Sequence, residues 1–343
     1  MGDYATLLAG ECERRGHTTR MLALNDTQID SIITGEDSLR LPSTIPWKER
    51  VTKAREFISA FSPDFVSLQF VCYGFHPRGI DFGLAGRLRE IIGKRAVQIM
   101  FHELWIGAEQ GAPLKDRFVG NIQRSLLLRL PRMLDARVIH TSNASYVAML
   151  RERNVSAEIL PLFGAIPINC ATPVPRGDAL ALGMFGALPP VWPPEPLFSL
   201  LAATGRKITV AHIGDIGAGE SLWDEMERKY RGRVEFKRLG RQSPDRIAQF
   251  LDSEIDLGIA TVPWELAGKS AAVAAMLEHG LPVIVNRDDW HLNKATDATP
   301  VSAQLIKMDE TLPQKLSTPR RVQPQSRLPE TATQFLNAME SAA

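Results

Sequence analysis

What this chain has little of narrows it before anything it contains. It has no run of 18 or more apolar residues; the richest stretch, "ALALGMFGALPPVWPP" (179–194), is broken by prolines, so no membrane-spanning helix is expected. Cysteine is scarce: Cys12, Cys72 and Cys170 lie far apart without paired spacing, which excludes a zinc-finger motif and is in keeping with a reducing compartment. No metal site is visible. The opening "MGDYATLLAGECERRGH" lacks the basic and apolar regions of a secretory signal, and the expectation is a cytoplasmic protein. Neither sign of charge is in excess: 40 Lys and Arg against 39 Asp and Glu leave a net charge of +1, with no global signature of a nucleic-acid binder. Tandem repeats of 20 to 50 residues are absent. Finally, "AGKS" (267–270) lacks the glycine that a P-loop needs five residues before Gly268. Pro263 stands there, with φ fixed and no N–H, so the full phosphate cradle cannot form.

What is present is an alternation of short apolar runs with longer amphipathic ones, over a length of 343 residues that suits two domains. Strands are expected at 20–24, 65–70, 96–101, 137–142 and 157–162, with helices at 3–17 and 48–61 in the same half. A proline-marked stretch, "NCATPVPRGD" (169–178), reads as a linker. Beyond it the pattern resumes: strands at 179–186, 208–214, 234–240, 255–262 and 282–286, helices at 195–204, 219–230, 244–253 and 269–279. A terminal helix is expected over 330–342. "NIQRSLLLRLPRML" (121–134) with Arg137 reads as a buried helix with a basic edge or, alternatively, as a peripheral contact with an anionic bilayer. The expected architecture is α/β, two Rossmann-like doubly wound domains facing across a cleft: 1–168, the linker, and 179–325, with 326–343 packing back on the first. Ligands of such sheets bind outside the carboxyl ends of the strands, so residues that follow strands carry the functional signal.

The order strand, loop, helix across "IDLGIATVPWELAGKSAAVAAMLEH" aims the first N–H groups of a helix into the cleft, an anion site that needs no P-loop. Placed in that helix's first turn, Lys269 opposes the helix dipole unless an anion is bound. Ser270 can add a hydroxyl donor, and Gly268 lets a phosphate approach the backbone. The plainer alternative is an exposed lysine on a capped crossover helix. Arg241, after the strand at 234–240, is a second cation able to fork onto a pyrophosphate, or part of a basic loop in which Ser243 caps a helix before Pro244. Gly186 and Gly214 end strands where the backbone must turn, either close to a ligand or as ordinary turn residues. His102 and Glu103 follow the strand at 96–101; the histidine is a functional or a structural residue on position alone. Tyr73 and His76 follow the strand at 65–70.

Taken together these stretches resemble the GT-B glycosyltransferases, and within them the retaining, family-four-like enzymes that use nucleotide-diphosphate sugars. The likeness runs through nearly the whole chain: "GDYATLLAGECERRGHTTRMLAL", "PDFVSLQF" with "YGFHPRG", "QIMFHELW", "RVIHTSNASYVAML", "MFGALPP", and the stretch from "VEFKRLGRQS" to "EHGLPVIV", where Gly280 and Pro282 fit the family's G-x-P. There are two departures. The family opens with a β-strand and a glycine turn ahead of the "GDY" helix, with no counterpart before Met1-Gly2-Asp3. Its paired glutamates, eight residues apart, fall on Ala267 and Ala275, with Glu265 and Glu278 nearby as substitutes for the nucleotide and sugar contacts.

The resemblance implies that His102 contacts the donor sugar, that Glu103 orients a loop or the acceptor, and that Tyr73 and His76 line the acceptor side. It implies a metal-independent, retaining transfer from a nucleotide-diphosphate sugar, a UDP-sugar in the first instance, to a saccharide or lipid-linked acceptor in polysaccharide assembly. No cofactor is called for beyond that donor. Lys269, Arg241 and a helix terminus are the groups that would stabilise the departing diphosphate. The competing readings are a nucleotide-sugar 2-epimerase-like isomerase and a nucleotide-sugar-binding protein without turnover.

Overall fold

The computed structural model describes residues 2–169, 179–293, 302–309, 311–317 and 321–342. The expected linker 169–178 lies, but for Asn169, outside the described residues.

In chain order the N-terminal half comprises α1 (Gly2–Arg14), β1 (Met21–Asp26), β2 (Ile33–Thr34), β3 (Ser38–Pro42), α2 (Trp47–Phe61), β4 (Phe65–Phe70) and α3 (Leu84–Ile92). It continues with β5 (Ala96–Phe101), α4 (Leu114–Leu127), α5 (Arg129–Leu134), β6 (Ala136–Thr141), α6 (Ala144–Arg151) and β7 (Glu158–Ile159). β4, β5, β6 and β7 form one parallel sheet, while β1 pairs in parallel with β3, and β2 adds to β3 antiparallel, in a separate sheet. β5 is buried at five of its six positions because the sheet is covered on both faces, which is why "AVQIMF" is apolar at every position but the buried Gln98. Ser62, in a left-handed conformation, ends α2 before Pro63. Leu127, Leu130 and Leu134 of α4 and α5 are buried in the same core as Leu88 and Ile99, while Arg129 and Arg132 are exposed, so the basic-leucine stretch is built as a core helix pair with a solvated edge. Among the described residues no helix is long and apolar enough to cross a membrane.

The C-terminal half runs β8 (Leu180–Phe185), α7 (Glu195–Ala203), β9 (Ile208–Ile213), α8 (Glu220–Lys229), β10 (Val234–Gly240), α9 (Pro244–Gln249) and β11 (Leu257–Ala260). After these come α10 (Ala271–Glu278), β12 (Val283–Val285), β13 (Leu305–Lys307), α11 (Leu312–Ser317) and α12 (Leu328–Ser341). Its six strands are all parallel, in the order β10-β9-β8-β11-β12-β13, the doubly wound arrangement in which the chain returns to the centre and reverses direction between β8 and β11. Ser243 caps α9 through its side chain, with Pro244 in the first turn. α12 leaves this half and packs on α1: Leu328, Ala332, Phe335 and Met339 share an apolar cluster with Leu8, Cys12 and Phe163.

Three short strands, β2, β3 and β13, had no counterpart in the apolar pattern, since each is brief and next to a turn. The helix expected over 269–279 begins later, at Ala271. Ser270 takes the N-cap, its hydroxyl accepting the Val273 N–H, so Lys269 falls in a preceding 3-10 turn, Trp264–Lys269.

Candidate functional site

The carboxyl ends of the two main sheets meet. From β5 come His102 and Glu103; from β6, through the N-cap Asn143 that accepts the Tyr146 N–H at 2.9 Å, come Ser145 and Tyr146 at the start of α6. From β11 come Glu265 and Lys269, and from the loop after β12 comes His291. These side chains bond across the divide. Lys269 Nζ lies 3.3 Å from Tyr146 Oη and 3.6 Å from Glu103 Oε1, with the ammonium also over the Tyr146 ring at 5.8 Å. Ser145 Oγ is 3.3 Å from both the carbonyl oxygen and Oε2 of Glu265, whose Oε1 lies 2.8 Å from His291 Nδ1. Beside them, Gln110 N–H and its side-chain amide donate to the carbonyls of His291 and Leu292, each at 2.8 Å.

The electrostatics of this cluster follow from burial working against pairing. Burial disfavours the charge of Lys269, but the Tyr146 phenol and the Glu103 carboxylate outweigh it and hold its pKa above the ordinary lysine value. Tyr146 moves up through burial, partly offset by Lys269. The hydrogen bond that His291 donates to the Glu265 carboxylate raises the pKa of His291, favouring the imidazolium. An ammonium has three N–H bonds, and Tyr146 and Glu103 engage two of them, so one remains for an incoming oxygen anion. Lys269 therefore does not oppose the dipole of α10 from inside its first turn: it stands ahead of the helix, reaching to the other half of the molecule.

A second row of groups lines the carboxyl edge of the C-terminal sheet. Gly186, after β8, and Gly214, after β9, have φ of +83° and +100°, which L side chains rarely adopt. A Cβ on Gly214 would stand 3.3 Å from Gly186 N, and one on Gly186 would stand 3.9 Å from the Ala272 side chain in the first turn of α10. Gly214 N–H donates to Gly240 O at 2.8 Å, and the next residue, Arg241, is exposed and paired with Asp215. Arg241, Gly214, Gly186 and the start of α10 thus run as a continuous rim, with Lys269 and the cap Ser270 just ahead of the helix. Gly268 is part of the same 3-10 turn as Lys269. Ser270 spends its acceptor on the cap but keeps its hydroxyl proton.

His102 takes a different set of partners from Glu103. Its Nε2 is 2.8 Å from Gln69 Oε1, and Tyr4 lies edge-on to its ring at 5.0 Å. A hydrogen-bonded row continues behind it: Gln69 Nε2 to Ser67 Oγ at 2.8 Å, Ser67 Oγ to Gln98 Oε1 at 2.6 Å, and Gln98 Nε2 to His140 Nδ1 at 3.1 Å. Burial drops both His102 and His140 to about 4, so both are neutral at pH 7. With Gln69 Oε1 accepting, the proton of His102 sits on Nε2, and Nδ1 is left as an acceptor.

The remaining residues are placed apart from Lys269. Half-exposed Tyr73 accepts from Gln123 Nε2 at 3.1 Å, and His76 Nδ1 accepts the N–H groups of Arg78 (3.1 Å) and Ile80 (3.3 Å), holding its own loop after β4. Glu278 is buried: its carboxylate accepts the N–H groups of Gly164 at 3.0 Å and Arg327 at 2.9 Å, and burial lifts it from its ordinary 4.5 to about 7. It ties α10 to the crossing segment that follows β7, at Gly164, and to the start of α12, and is not brought together with the Lys269 cluster. A Cβ on Gly164 would stand 2.7 Å from Ala275 Cα, so backbone of the crossing segment covers Ala275, and a glutamate there would have no room. A pocket lined by Phe70, Cys72, Asp81, Gln123 and Leu127 opens in the N-terminal half and holds none of the site residues. Among the described residues no group of three or more His, Cys, Asp or Glu side chains converges to hold a metal.

Sequence reasoning missed Ser145, Tyr146, Gln69 and His291. Two of these carried a signal: Ser145 and Tyr146 follow a strand and an Asn cap, the position from which side chains reach a sheet's carboxyl edge.

No protein-family model and no curated protein matches the sequence. Among solved structures, AviGT4, a glycosyltransferase involved in avilamycin A biosynthesis, is 12% identical with a TM-score of 0.56, covering 99% of this chain and 88% of that one. The apo form of the lipopolysaccharide outer core galactosyltransferase WaaB is 14% identical with a TM-score of 0.55, covering 99% and 95%. Anabaena HepE in complex with UDP and glucose is 16% identical with a TM-score of 0.45, and the chain spans 62% of its length. Identities this low bear on architecture alone. The chain has the GT-B fold.

Proposed function

We propose that this protein is a glycosyltransferase that moves a sugar from a nucleotide-diphosphate donor, a UDP-sugar in the first instance, to a saccharide or lipid-linked acceptor in cytoplasmic polysaccharide assembly. The C-terminal half holds the donor and the N-terminal half the acceptor. The observation that carries this reading is Lys269: its ammonium is held between the two sheets by Tyr146 and Glu103, next to the start of α10, and keeps one N–H unengaged. A diphosphate seated along Gly186, Gly214 and the first turn of α10 would take that N–H, the helix-terminal N–H groups and the Arg241 guanidinium. Negative charge grows on this diphosphate as the glycosidic bond breaks, so groups placed to receive it lower the barrier. Protein cations and a helix terminus supply the charge in this reading, which makes the transfer metal-independent. Neutral His102, oriented by Gln69, accepts from a donor-sugar hydroxyl through Nδ1. In a retaining transfer the departing phosphate oxygen takes the acceptor's proton.

A second reading, donor binding without turnover, is favoured by the two buried alanines, Ala267 and Ala275, that stand where the resemblance places a glutamate pair. A thermal-shift panel of UDP, GDP, ADP and their sugars tests the donor, because a bound ligand stabilises by mass action. One nucleotide family should raise the midpoint; no response to any of them contradicts the proposal. Donor consumed only with an acceptor present selects transfer, donor bound and left intact over an acceptor panel selects binding, and donor rearranged without acceptor selects isomerisation.

A further inference from the structure

One cation of the N-terminal half is buried without a carboxylate. Arg50, in α2, is 5% exposed, and among the described residues it forms no ion pair. Burial pushes its pKa down and the neighbouring Arg87 charge adds to that, with Asp81 offsetting them in part. Asp81 is itself committed, one oxygen 2.8 Å from Arg87 Nη1 and the other accepting the Gly83 N–H at 3.0 Å. A buried charge with no partner is costly, so the groups left free on it show what could repay that cost. Nη1 of Arg50 is spent on the fold, donating to Leu24 O at 3.3 Å and to Asn25 Oδ1 at the end of β1. Nε is buried without a partner, and Nη2 makes no bond within the described residues either. Nε and Nη2 form one edge of the guanidinium, and such an edge takes two oxygens of a carboxylate or phosphate side by side.

The surroundings favour an anion at that edge. Arg50 and Arg87 both stack on Trp47, 3.9 Å and 4.5 Å from its ring centroid, and Asp81 balances Arg87 alone, so one positive charge stays uncompensated. Trp47 opens α2 behind Pro46, with no side chain capping the helix. The helix dipole therefore also favours negative charge here, and Arg50, one turn in, opposes that dipole until an anion arrives. Glu49, the acid of that first turn, is exposed. The place is the carboxyl edge of the N-terminal sheets: Asn25, held by Arg50, donates to Gly74 O at 2.7 Å, in the loop after β4 that carries Tyr73 and His76. We infer that the Nε–Nη2 edge of Arg50, together with Arg87 and Trp47, binds an oxyanion of the acceptor, which makes the acceptor an acidic saccharide carrying a phosphate or carboxylate group. This rests on the reading of the N-terminal half as the acceptor side, and it names the acceptor's class.

The test titrates the full chain with glucose 1-phosphate, glucuronate and neutral glucose by calorimetry. At least one of the two acids should bind ~10-fold or more tightly than glucose, the scale of a charge-assisted bidentate bond, and the tighter of them tells phosphate from carboxylate. Arg50→Lys, which keeps the charge and loses the edge, should remove that preference. Arg87→Gln should remove it too, and because Arg87 is part-exposed this variant carries the test if Arg50→Lys does not fold. Lys269→Ala, which removes the proposed donor contact, should leave the preference intact. The acid should also change the intrinsic fluorescence of the wild type, which holds six tryptophans, and not that of Trp47→Phe. Equal affinity for charged and neutral sugars, or a preference that survives Arg87→Gln, would overturn the inference. A preference lost in Lys269→Ala and kept in Arg87→Gln would put the oxyanion in the donor site, overturning the inference while the donor reading stands. An Arg87-dependent preference in a chain that binds no nucleotide would uphold the oxyanion site and break the donor reading alone.

Discussion

Where the C-terminal sheet carries β8 paired on both sides, β1 and β4 of the N-terminal half pair, among the described residues, only with β3 and β5, and the side chains record the difference. Leu182 of β8 is fully buried between Val210 and Leu257, whereas Leu22 of β1 is partly exposed. The first half depends on contacts from elsewhere: Arg50 of α2 reaches back to Leu24 O at 3.3 Å and to Asn25, and α12 crosses from the C-terminal half to cover α1. Strands paired on both sides are held by the sheet itself, while β1 and β4, each paired on one side among the described residues, borrow support from helices.

The largest expected effect sharpens this contrast. Leu182→Ala should cost about 3 kcal/mol of stability in urea unfolding and Leu22→Ala about 1 kcal/mol, because only the first leaves a closed cavity; equal costs would mean that β1 is as well packed as β8. The next concerns Glu278, which ties the halves together. Its pKa is raised on folding, from 4.5 to about 7, so the native state holds more protons over that window and the stabilisation is lost as pH rises through it. Stability should fall between pH 5 and 8 by at most about 3 kcal/mol, and Glu278→Gln should flatten that slope; an unchanged slope assigns it elsewhere. His102 and His140 have the opposite sign. Held neutral by burial, they favour folding above pH 6.5, and that contribution is lost as pH falls toward 4, so the N-terminal half should be the first to open in acid, as read by amide exchange. The smallest effect belongs to Arg241→Ala. Its exposed, Asp215-paired guanidinium should contribute only about 3-fold to nucleotide affinity, in the range of a surface ion pair.

The parts of this molecule that a sequence can reveal are those set by local burial. "FVSLQF" and "AVQIMF" are short, mainly apolar runs and become β4 and β5 residue for residue; Ser243-Pro244 caps α9 because a hydroxyl followed by proline suits a helix start in any context. Gly186 and Gly214 were legible as turns, since strands ending in glycine reverse there. Lys269 was legible as a cation near a helix start but not as what it is, an interdomain tie. Its partner Tyr146 lies 123 residues away, and side-chain periodicity carries no information about such pairings. Ser270, a hydroxyl immediately before the alanines of α10, is the stronger cap signal, and it puts Lys269 ahead of the helix rather than inside it. The glutamates near the resembled pair separated for a tertiary reason: Glu265 turns to Ser145 and His291, while Glu278 turns inward to Gly164 and Arg327.

The central claim, that Lys269 offers a free N–H to a donor's diphosphate at the meeting of the two sheets, is tested most directly by calorimetric titration of UDP into the wild type and Lys269→Ala. Lys269 is partly exposed and its tie to Glu103 spans 3.6 Å, so the variant should fold and bind about 10- to 100-fold more weakly, the scale of a charge-assisted hydrogen bond. A folded Lys269→Ala variant that binds UDP as tightly as the wild type would contradict it.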